Sequence, residues 1–326
     1  MKINVKRGVW HMKIGILDVG TLGDDLNLES IENLGDVTTH QLTYAEDVID
    51  RIKDKEVLIL NKVKLNESNL KYAKNLKLIC ITATGFDNVD TEYCKEQGIA
   101  VCNVAGYSTD SVVQVTVSMA LALSTNLMQY NQYVKSNQYT KSGIFNCLKP
   151  VFHEISGKTW GIVGLGNIGR KVAAAAEAMG CNVIAYKRTP TQDYECVGID
   201  ELCSRADIIT LHTPLNEQTK GLINKERIVL MKKDAILINA ARGAVVDEEA
   251  VAVALENNEI GGFGSDVYSI EPMQENSPYQ RILKCENTIF TPHMAWGAYE
   301  ARQRCVDEVS ENIKSFYEGK MRNRIV

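Results

Sequence analysis

Residues 158–187 read KTWGIVGLGNIGRKVAAAAEAMGCNVIAYK and hold the strongest structural signal in the chain. A β-rich run, Lys158–Val163, leads straight into the glycine-rich stretch Gly164–Gly169. Good helix formers follow over Arg170–Met179, and a second β-rich run occupies Asn182–Lys187. This order of strand, glycine turn, helix and strand predicts a βαβ unit with two parallel strands.

The glycines of this unit are those of a dinucleotide-binding turn. Together Gly164, Gly166 and Gly169 permit a tight turn, close approach of backbone N–H groups to a pyrophosphate, and close packing of the helix on the strand. The N-terminus of the helix adds partial positive charge. A tight turn with a purely structural role is the alternative, but the strands and the helix around it favour dinucleotide binding.

The residues at the end of the second strand bear on coenzyme choice. About 20 residues after the glycine turn, an NAD-binding unit has an Asp or Glu that binds the ribose 2′-hydroxyl. Lys187, Arg188 and Thr189 stand there instead. Two cations and a hydroxyl suit a 2′-phosphate, so the sequence predicts a preference for NADP(H). The alternative is an NAD(H) enzyme with a solvated basic strand end, in which Asp193 takes the acidic role.

The alternation of β-rich and helix-compatible runs extends to both sides of this unit, which predicts parallel sheets covered by helices. The strands are continuous apolar runs, as expected for strands buried on both faces. At 326 residues the chain has room for about two domains of roughly 150 residues. We therefore expect an α/β protein with two doubly wound parallel-sheet domains. The predicted strands are Lys13–Asp18, Val57–Leu60, Leu76–Thr82 and Ile99–Val104, then 159–163, 182–187, 207–211, 234–239, 261–265 and 288–291.

Other segments are predicted as helices or as chain outside the fold. The run Asp110–Gln129 has almost no polar face, which predicts a buried helix, and a polar, Tyr-rich stretch follows at 130–150. Residues 297–317 carry charges at helical spacing and predict an amphipathic helix that packs on the first domain. We treat residues 1–11 as an extension outside the fold. Shorter helices are predicted at 44–54, 66–75 and 90–97.

The composition is that of an ordinary globular protein and excludes several function classes. Lys and Arg number 36 against 41 Asp and Glu, and the formal charge of −5 argues against a nucleic-acid partner. No apolar run approaches the roughly 18 residues of a membrane-spanning helix, and the N-terminus lacks the apolar stretch of a secretory signal. The nine cysteines include no pair two residues apart, which suggests neither a metal site nor disulfides. We expect reduced thiols and a cytoplasmic location.

Three segments that follow predicted strands carry reactive side chains. They read Asn239-Ala-Ala-Arg242-Gly243, Asp266-Val-Tyr-Ser-Ile-Glu271-Pro272 and Thr291-Pro-His293-Met-Ala-Trp296. In doubly wound folds, ligands bind at the carboxyl ends of the strands. An Arg, a Glu and a His at that edge are suited to bind a carboxylate, orient an imidazole and transfer a proton. Arg242, Glu271 and His293 are therefore the candidate catalytic residues.

Further motifs occur in a fixed order along the chain. They are Asn61-Lys-Val63, Ala83-Thr-Gly85 and Val101-Cys-Asn-Val-Ala-Gly-Tyr-Ser108. With them the chain resembles the D-isomer-specific 2-hydroxyacid dehydrogenases over nearly all of Met12–Val326, and most closely the glycerate dehydrogenase and hydroxypyruvate (glyoxylate) reductase branch. The resemblance implies a discontinuous, flavodoxin-like substrate domain, 12–108 with 297–326, and a Rossmann NAD(P)-binding domain, 109–296. It also implies a homodimer formed through the cofactor domain.

The resemblance implies a role for each catalytic candidate, without a metal. His293 is the general acid that protonates the carbonyl oxygen when a 2-keto acid accepts hydride from the nicotinamide. Arg242 holds the substrate carboxylate and polarises the ketone, which its planar guanidinium allows. Glu271 hydrogen-bonds His293 and favours its protonated form.

The resemblance also implies substrate and cofactor contacts. Backbone N–H groups around Thr84 and Gly85 take the substrate carboxylate, with Asn61 and Lys62 as second contacts. His212, which precedes Thr213, is a weaker candidate to line the cofactor site. The implied cofactor contacts are Asn167 and Ile168 at the pyrophosphate, then Thr213, Pro214, Ala240, Ala241 and Arg242, and Asp266 near the nicotinamide amide. To these the residue pattern itself adds Gly164, Gly166 and Gly169 at the pyrophosphate and Lys187, Arg188 and Thr189 at the ribose.

The sequence thus predicts an NAD(P)-dependent enzyme that reversibly reduces hydroxypyruvate or glyoxylate to D-glycerate or glycolate. Two alternatives stay open. A phosphoglycerate dehydrogenase-like enzyme is the nearer one, and the other is a dinucleotide-sensing, corepressor-like interaction protein, because that branch of the fold keeps the same three catalytic residues. Lys187 is the main departure from the family pattern, since NAD-dependent members commonly have an acid there.

Overall fold

The computed structural model describes residues 12–189 and 191–326, so the predicted extension of residues 1–11 lies outside the described residues. The chain divides into two compact units. The first unit takes the chain up to Ser108 together with Gly297–Val326, and the second takes Thr109–Trp296. The first unit is therefore discontinuous in sequence, and each unit is built on a sheet of its own.

The strands of the described chain form a five-stranded sheet in the first unit and a seven-stranded sheet in the second, and all of their pairings are parallel. The predicted α/β class with two parallel sheets is thereby confirmed. The first sheet contains β1 (Met12–Ile16), β2 (Gly35–Thr39), β3 (Val57–Leu60), β4 (Leu78–Ile81) and β5 (Ala100–Cys102), and the second contains β6 (Thr159–Val163), β7 (Asn182–Tyr186), β8 (Glu195–Cys196), β9 (Ile208–Leu211), β10 (Ile236–Asn239), β11 (Gly262–Ser265) and β12 (Thr288–Phe290).

The helices alternate with the strands, and several begin at a side chain that caps them. Asp90, Asn224 and Asp247 each accept a hydrogen bond from the backbone N–H three residues ahead, which satisfies a donor that the first helical turn leaves unpaired. The helices are α1 (Glu29–Glu32), α2 (Val48–Ile52), α3 (Glu67–Leu70), α4 (Thr91–Glu96), α5 (Thr109–Ser124), α6 (Leu127–Lys135), α7 (Gln138–Ser142), α8 (Asn167–Ala178), α9 (Ile199–Arg205), α10 (Lys225–Leu230), α11 (Glu248–Glu256) and α12 (Tyr299–Tyr317).

The first sheet has the strand order β2-β1-β3-β4-β5, which is the flavodoxin-like arrangement. Every residue of β3 and β4 is buried, in agreement with their continuous apolar sequences. Helix α12 packs against α1 and β4, and Ser310 Oγ donates a hydrogen bond to the Ser30 carbonyl over 2.7 Å. The last helix of the chain therefore completes the first unit.

The second sheet has the order β12-β11-β10-β9-β6-β7-β8. The chain starts this sheet at β6 and builds outward to both sides, so the order reverses between β6 and β9, where Rossmann folds bind dinucleotides. The indole of Trp160 in β6 is fully buried and donates to Thr210 Oγ1 in β9 over 3.1 Å. This bond fixes the two strands that flank the reversal.

Three local features differ from the sequence prediction. Strands β2 and β8 were not predicted; both contain polar residues and lie at sheet edges, where no apolar run is required. The helix predicted to reach Gln129 ends at Ser124 instead, because Asn126 takes a left-handed φ of 52°. The chain then re-enters a helix, so the stretch 130–150 contains the end of α6 and all of α7.

Helix α5 is the most apolar helix of the described chain. By itself no described helix is long and apolar enough to cross a membrane, although α5 and α6 together reach the required length and composition, with a 68° bend between them. Met119 and Ala120 of α5 are buried, and the helix packs on α8, β10 and β11. Its apolar character is therefore used within the second unit.

Candidate active site

The candidate residues of the second unit lie on one edge of its sheet. Because all strands are parallel, their carboxyl ends meet at that edge. In the order of the strands, the residues that follow them are His293 after β12, Asp266 after β11, Arg242 after β10, Thr213 after β9, Gly164 after β6 and Lys187 after β7.

The glycine turn after β6 has a geometry that only glycine satisfies at two positions. Gly164 has a φ of +97°, and a Cβ there would lie 2.7 Å from the carbonyl carbon of His212. A Cβ on Gly169 would lie 2.2 Å from the carbonyl oxygen of Gly164. Because both residues are glycine, the turn can pack closely against the end of β9 and against the first turn of α8.

Gly166 differs from the other two glycines, because a Cβ there would meet no atom within 4 Å. Gly166 precedes α8, whose first residues are Asn167 and Ile168, and its own side-chain position faces open space. Free backbone N–H groups at a helix N-terminus, together with open space beside them, suit a pyrophosphate. The residues present therefore fit a dinucleotide.

The residues after β7 form a basic surface. Lys187 is half-buried, and Arg188 and Thr189 are exposed. Asp193 accepts a hydrogen bond from Arg170 Nη1, and this contact holds the pKa of the Asp193 carboxyl below its ordinary value. Asp193 is the acid that would have to bind the ribose if the protein preferred NAD(H), and it is already paired with Arg170 of α8.

His293 and Glu271 are in direct contact. His293 Nδ1 lies 2.6 Å from Glu271 Oε2, and both side chains are half-buried. Glu271 Oε1 accepts a hydrogen bond from the Tyr268 backbone N–H over 3.1 Å, and the Tyr268 hydroxyl donates to the Thr291 carbonyl over 2.8 Å. The carboxylate is therefore fixed on one side and meets the imidazole on the other.

Asp266 supports the loop that carries His293. Its side chain is 1% exposed; Oδ1 accepts hydrogen bonds from Thr291 Oγ1 (2.6 Å) and the Met294 N–H (2.8 Å), and Oδ2 accepts one from the Ala295 N–H (2.9 Å). Burial raises the pKa of Asp266, and these hydrogen bonds oppose that rise. His293 lies inside this bonded loop with a φ of +53°. The contact of Asp266 with a nicotinamide amide stays a prediction; loop support is a role that the sequence did not reveal.

Arg242 lies on a loop that its neighbours hold in place. Asn239, which is fully buried, donates from Nδ2 to the Arg242 carbonyl over 3.0 Å and accepts the Ala241 N–H over 3.1 Å. A Cβ on Gly243 would lie 1.9 Å from the carbonyl carbon of Tyr268, so only glycine allows this loop to pack against the one that leads to Glu271. Arg242 itself is exposed, and its Nη1 donates to the Ala241 carbonyl over 2.8 Å.

His212 lies between β9 and the glycine turn. Its Nε2 is 3.0 Å from Thr210 Oγ1, while its buried Nδ1 has no hydrogen-bond partner among the described residues. Burial lowers the pKa of His212 to about 3, so the ring is neutral at physiological pH. A neutral imidazole is a poor proton donor, so His212 is a weaker candidate for the acid of a reduction than His293, whose Nδ1 contacts Glu271.

The substrate-side candidates lie on the carboxyl edge of the first sheet. Asn61 and Lys62 follow β3, while Thr84 and Gly85 follow β4, and these two strands are neighbours. Asn61 is 5% exposed, and its Nδ2 donates to Thr21 Oγ1 over 3.0 Å, whereas Lys62 is exposed. Each group of candidates is thus collected within its own unit, and their contacts with substrate stay predictions.

No metal site accompanies these residues in the described chain. Among residues 12–189 and 191–326, no three His, Cys, Asp or Glu side chains are grouped closely enough to hold a metal ion. The described site offers an imidazole, a carboxylate and a guanidinium at the same sheet edge as the dinucleotide-binding turn.

Gly166 and Gly164 are expected to respond differently to the same substitution. Gly166→Ala should leave the unfolding temperature near that of the unchanged protein, because the backbone φ of −87° and the open space admit a methyl group. It should weaken coenzyme binding by about tenfold or more, the effect of roughly 1.4 kcal/mol, since the methyl group occupies the space of the pyrophosphate. Thermal unfolding and fluorescence titration with NADPH and NADH measure both effects.

Gly164→Ala is the matched control for this prediction. It forces a non-glycine residue to positive φ against the His212 carbonyl, so it should lower the free energy of unfolding by about 1–3 kcal/mol. Unchanged binding of both coenzymes by Gly166→Ala would contradict the proposed position of the pyrophosphate.

Comparison with known proteins identifies the second unit and the whole chain. A family model described as "D-isomer specific 2-hydroxyacid dehydrogenase, NAD binding domain" matches residues 117–295, which is more than half of the chain. A glycerate dehydrogenase of Methylorubrum extorquens is 36% identical over 282 residues, covering 85% of this chain and 88% of the relative. A hydroxypyruvate reductase of Blautia hydrogenotrophica is 33% identical over 317 residues, covering 94% and 98%.

Solved structures give the same result. A D-lactate dehydrogenase from Aquifex aeolicus, complexed with NAD and lactic acid, superposes with a TM-score of 0.81 at 30% identity, covering 94% of this chain and 96% of that one. An acyclic imino acid reductase in complex with NADPH and D-Arg has a TM-score of 0.85 at 29% identity, covering 97% and 100%. The chain therefore belongs to the D-isomer-specific 2-hydroxyacid dehydrogenases, in the glycerate dehydrogenase and hydroxypyruvate reductase branch, and is an oxidoreductase.

Proposed function

We propose that this protein reversibly reduces a small 2-keto acid, hydroxypyruvate or glyoxylate, to the D-2-hydroxy acid, D-glycerate or glycolate. One observation carries the proposal: His293 Nδ1 lies 2.6 Å from Glu271 Oε2, at the same sheet edge as the exposed guanidinium of Arg242. The names of the two curated relatives, glycerate dehydrogenase and hydroxypyruvate reductase, support this choice of substrate.

Arg242 binds and polarises the substrate in this proposal. When bound, a reduced nicotinamide supplies hydride to the carbonyl carbon. A guanidinium presents paired N–H donors in one plane, which matches the two oxygens of a carboxylate. The same group stabilises the negative charge that develops on the ketone oxygen during reduction. Arg242 therefore orients the keto acid and favours the charge distribution of the transition state.

His293 moves the proton. Because Nδ1 is turned towards Glu271, Nε2 is the nitrogen available to the substrate oxygen. In reduction Nε2–H donates its proton to that oxygen, and in oxidation the neutral Nε2 accepts the proton of the hydroxyl group. Glu271 fixes the orientation of the ring through Nδ1, and the Tyr268 N–H in turn holds the carboxylate.

His293→Ala tests this assignment. Losing a positioned general acid should lower kcat for keto-acid reduction by about 10²–10⁴-fold, while coenzyme binding is retained. The measurement is the loss of reduced-coenzyme absorbance with hydroxypyruvate, glyoxylate, pyruvate and 3-phosphohydroxypyruvate.

The control is His153→Ala, which removes an exposed histidine from the chain ahead of β6 and should keep the full rate. A His293→Ala enzyme with near-normal kcat would refute the assignment of the acid. Highest kcat/KM with 3-phosphohydroxypyruvate would instead identify a phosphoglycerate dehydrogenase-like enzyme, and no turnover with any keto acid would favour the interaction protein.

We further propose that NADP(H) is preferred and that NAD(H) is the weaker coenzyme. Lys187, Arg188 and Thr189 occupy the strand end where a ribose 2′-group lies in Rossmann folds. Asp193, the nearby acid, is paired with Arg170. The related imino acid reductase that is solved with NADPH supports this proposal, whereas the family description and the lactate dehydrogenase name NAD.

Arg188→Ala tests the coenzyme proposal. Removing one cation from a 2′-phosphate site should raise KM for NADPH by about tenfold, corresponding to a charge-assisted hydrogen bond of roughly 1.5 kcal/mol, and should leave KM for NADH nearly unchanged. The control Lys233→Ala removes an exposed cation from the chain just before β10, at the opposite edge of the sheet. A lower KM for NADH than for NADPH in the unchanged enzyme would overturn the proposal.

We propose a homodimer formed through the second unit. No residue of α6 or α7 is buried, and an apolar surface on these helices and the following segment is exposed. Short helices without buried residues are not stable in water by themselves, so a partner surface is expected, and the family resemblance supports a second copy of this chain. The exposed residues are Leu127, Met128, Val134, Ile144, Phe145, Leu148 and Val151.

Phe145→Asp tests the dimer. Phe145 is 91% exposed in the single chain, so the substitution should not disturb the fold of the unit but should place a charge in an apolar interface. Light scattering after gel filtration should give the mass of two chains for the unchanged protein and of one chain for the variant. The control is Met321→Asp, at a residue that is 82% exposed in the first unit. A monomeric unchanged protein would refute the proposal.

We also propose a cytoplasmic location. All nine cysteines lie in the described residues and are free. Burial raises the pKa of Cys94 and Cys203 to about 11, which keeps these thiols protonated and unreactive. Free, buried thiols are typical of proteins in a reducing compartment.

A further inference from the structure

The buried carboxylate of Asp18 stands directly behind the substrate-side loop of the first unit. Asp18 follows β1 and is 3% exposed. Its Oδ1 accepts a hydrogen bond from the Asn61 N–H over 2.8 Å, and its Oδ2 accepts one from the Lys62 N–H over 2.6 Å. A single side chain thus binds two successive backbone donors at the end of the neighbouring strand β3.

The free-energy cost of burying the Asp18 carboxylate stabilises its hydrogen bonds to the Asn61 and Lys62 backbone. A carboxylate that is removed from water loses its hydration energy, and this loss destabilises the protein unless hydrogen bonds from the protein offset it. Burial raises the pKa of Asp18, and backbone hydrogen bonds from Lys62, Asn61 and Val63 oppose that rise. If the loop moved away, Asp18 would be buried without these donors, so the conformation of the loop and the charge of Asp18 stabilise each other.

Side chains from two other places hold the same loop. Asn88 Nδ2 donates to the Asn61 carbonyl over 3.2 Å and to the Val63 carbonyl over 2.9 Å. Asn61 Nδ2 donates to Thr21 Oγ1, as described above. Asn61 and Val63 are both buried, so Lys62 is the residue of this loop whose side chain is exposed at the carboxyl edge.

We propose that Asp18 is a positioning residue that fixes the Asn61–Lys62 backbone and so presents the Lys62 ammonium to the carboxylate of the 2-keto acid. This inference rests on the proposed function. By its charge alone, a buried anion near an anionic substrate would weaken substrate binding. The proposed positioning role has the opposite effect, because it strengthens substrate binding through Lys62. If Asp18 acts by position, removing its charge raises KM; if it acts only by its field, removing its charge lowers KM.

Asp18→Asn is the direct test. The amide keeps the size of the side chain but turns an N–H group towards one of the two backbone donors, which breaks one charge-assisted bond and displaces the loop. KM for the keto acid should rise about tenfold or more, the usual effect of such a bond, while kcat stays within about twofold because Arg242 and His293 are unchanged. The dissociation constant of the reduced coenzyme, measured by fluorescence titration, should not change.

Two further variants make the test specific. Lys62→Ala should raise KM by itself, and the double variant with Asp18→Asn should bind no more weakly than Lys62→Ala alone, because both act through one side chain. Asp36→Asn, an exposed carboxyl in the neighbouring strand β2, is the matched control and should leave KM and kcat unchanged. Asn88→Ala releases the other side of the loop and should raise KM in the same way, which keeps the test valid if Asp18→Asn does not fold.

Each other outcome would overturn a particular step. If the unchanged enzyme reduces keto acids and Lys62→Ala raises KM, but neither Asp18→Asn nor Asn88→Ala does, the positioning role fails and the proposed function stands. The positioning role would likewise be refuted if Asp18→Asn left KM unchanged, lowered KM or lowered only kcat. Additive effects of Asp18→Asn and Lys62→Ala on KM in the double variant would also refute it. If Lys62→Ala leaves KM unchanged, the loop does not bind substrate. If the unchanged enzyme reduces no keto acid, the proposed function fails and this inference fails with it.

Discussion

All seven strands of the second sheet run in the same direction, and the site depends on this constraint. Parallel strands have their carboxyl ends on one edge, so loops that are distant in sequence become neighbours. The strand order also separates the tasks. The dinucleotide turn and the basic surface follow β6 and β7, the residues proposed for proton transfer follow β11 and β12, and Arg242 follows β10 between them.

The two units use the same device to hold their functional loops. In each, a buried Asp that follows a strand accepts backbone N–H groups from a loop that follows another strand. Asp266 holds the loop around His293, and Asp18 holds the loop around Lys62. The cost of burying a carboxylate is offset only while those donors stay in place. Each loop is therefore rigid where its functional side chain begins, which favours precise placement of that side chain.

Backbone sterics add a second kind of control. Gly164 and Gly169 allow the dinucleotide turn to pack on the end of β9 and on α8, and Gly243 allows the Arg242 loop to pack on the Tyr268 backbone. Tyr268 in turn orients Glu271 and contacts Thr291, next to the His293 loop. A side chain at Gly243 would therefore displace the loops that carry Arg242 and Glu271, although Gly243 itself has no group that takes part in the chemistry.

The sequence by itself determined the fold class and the dinucleotide turn and predicted Arg242, Glu271 and His293 as catalytic candidates, because glycine spacing, apolar runs and strand-end polar residues are local signals. It did not reveal β2 or β8, because edge strands need no apolar run, or the break at Asn126, whose left-handed conformation has no pattern in the letters. Only the tertiary structure decided what Asp18, Asp266 and Gly243 do. Their roles arise from backbone groups far away in the chain, and such contacts exist only after parallel strands have brought the loops to one edge.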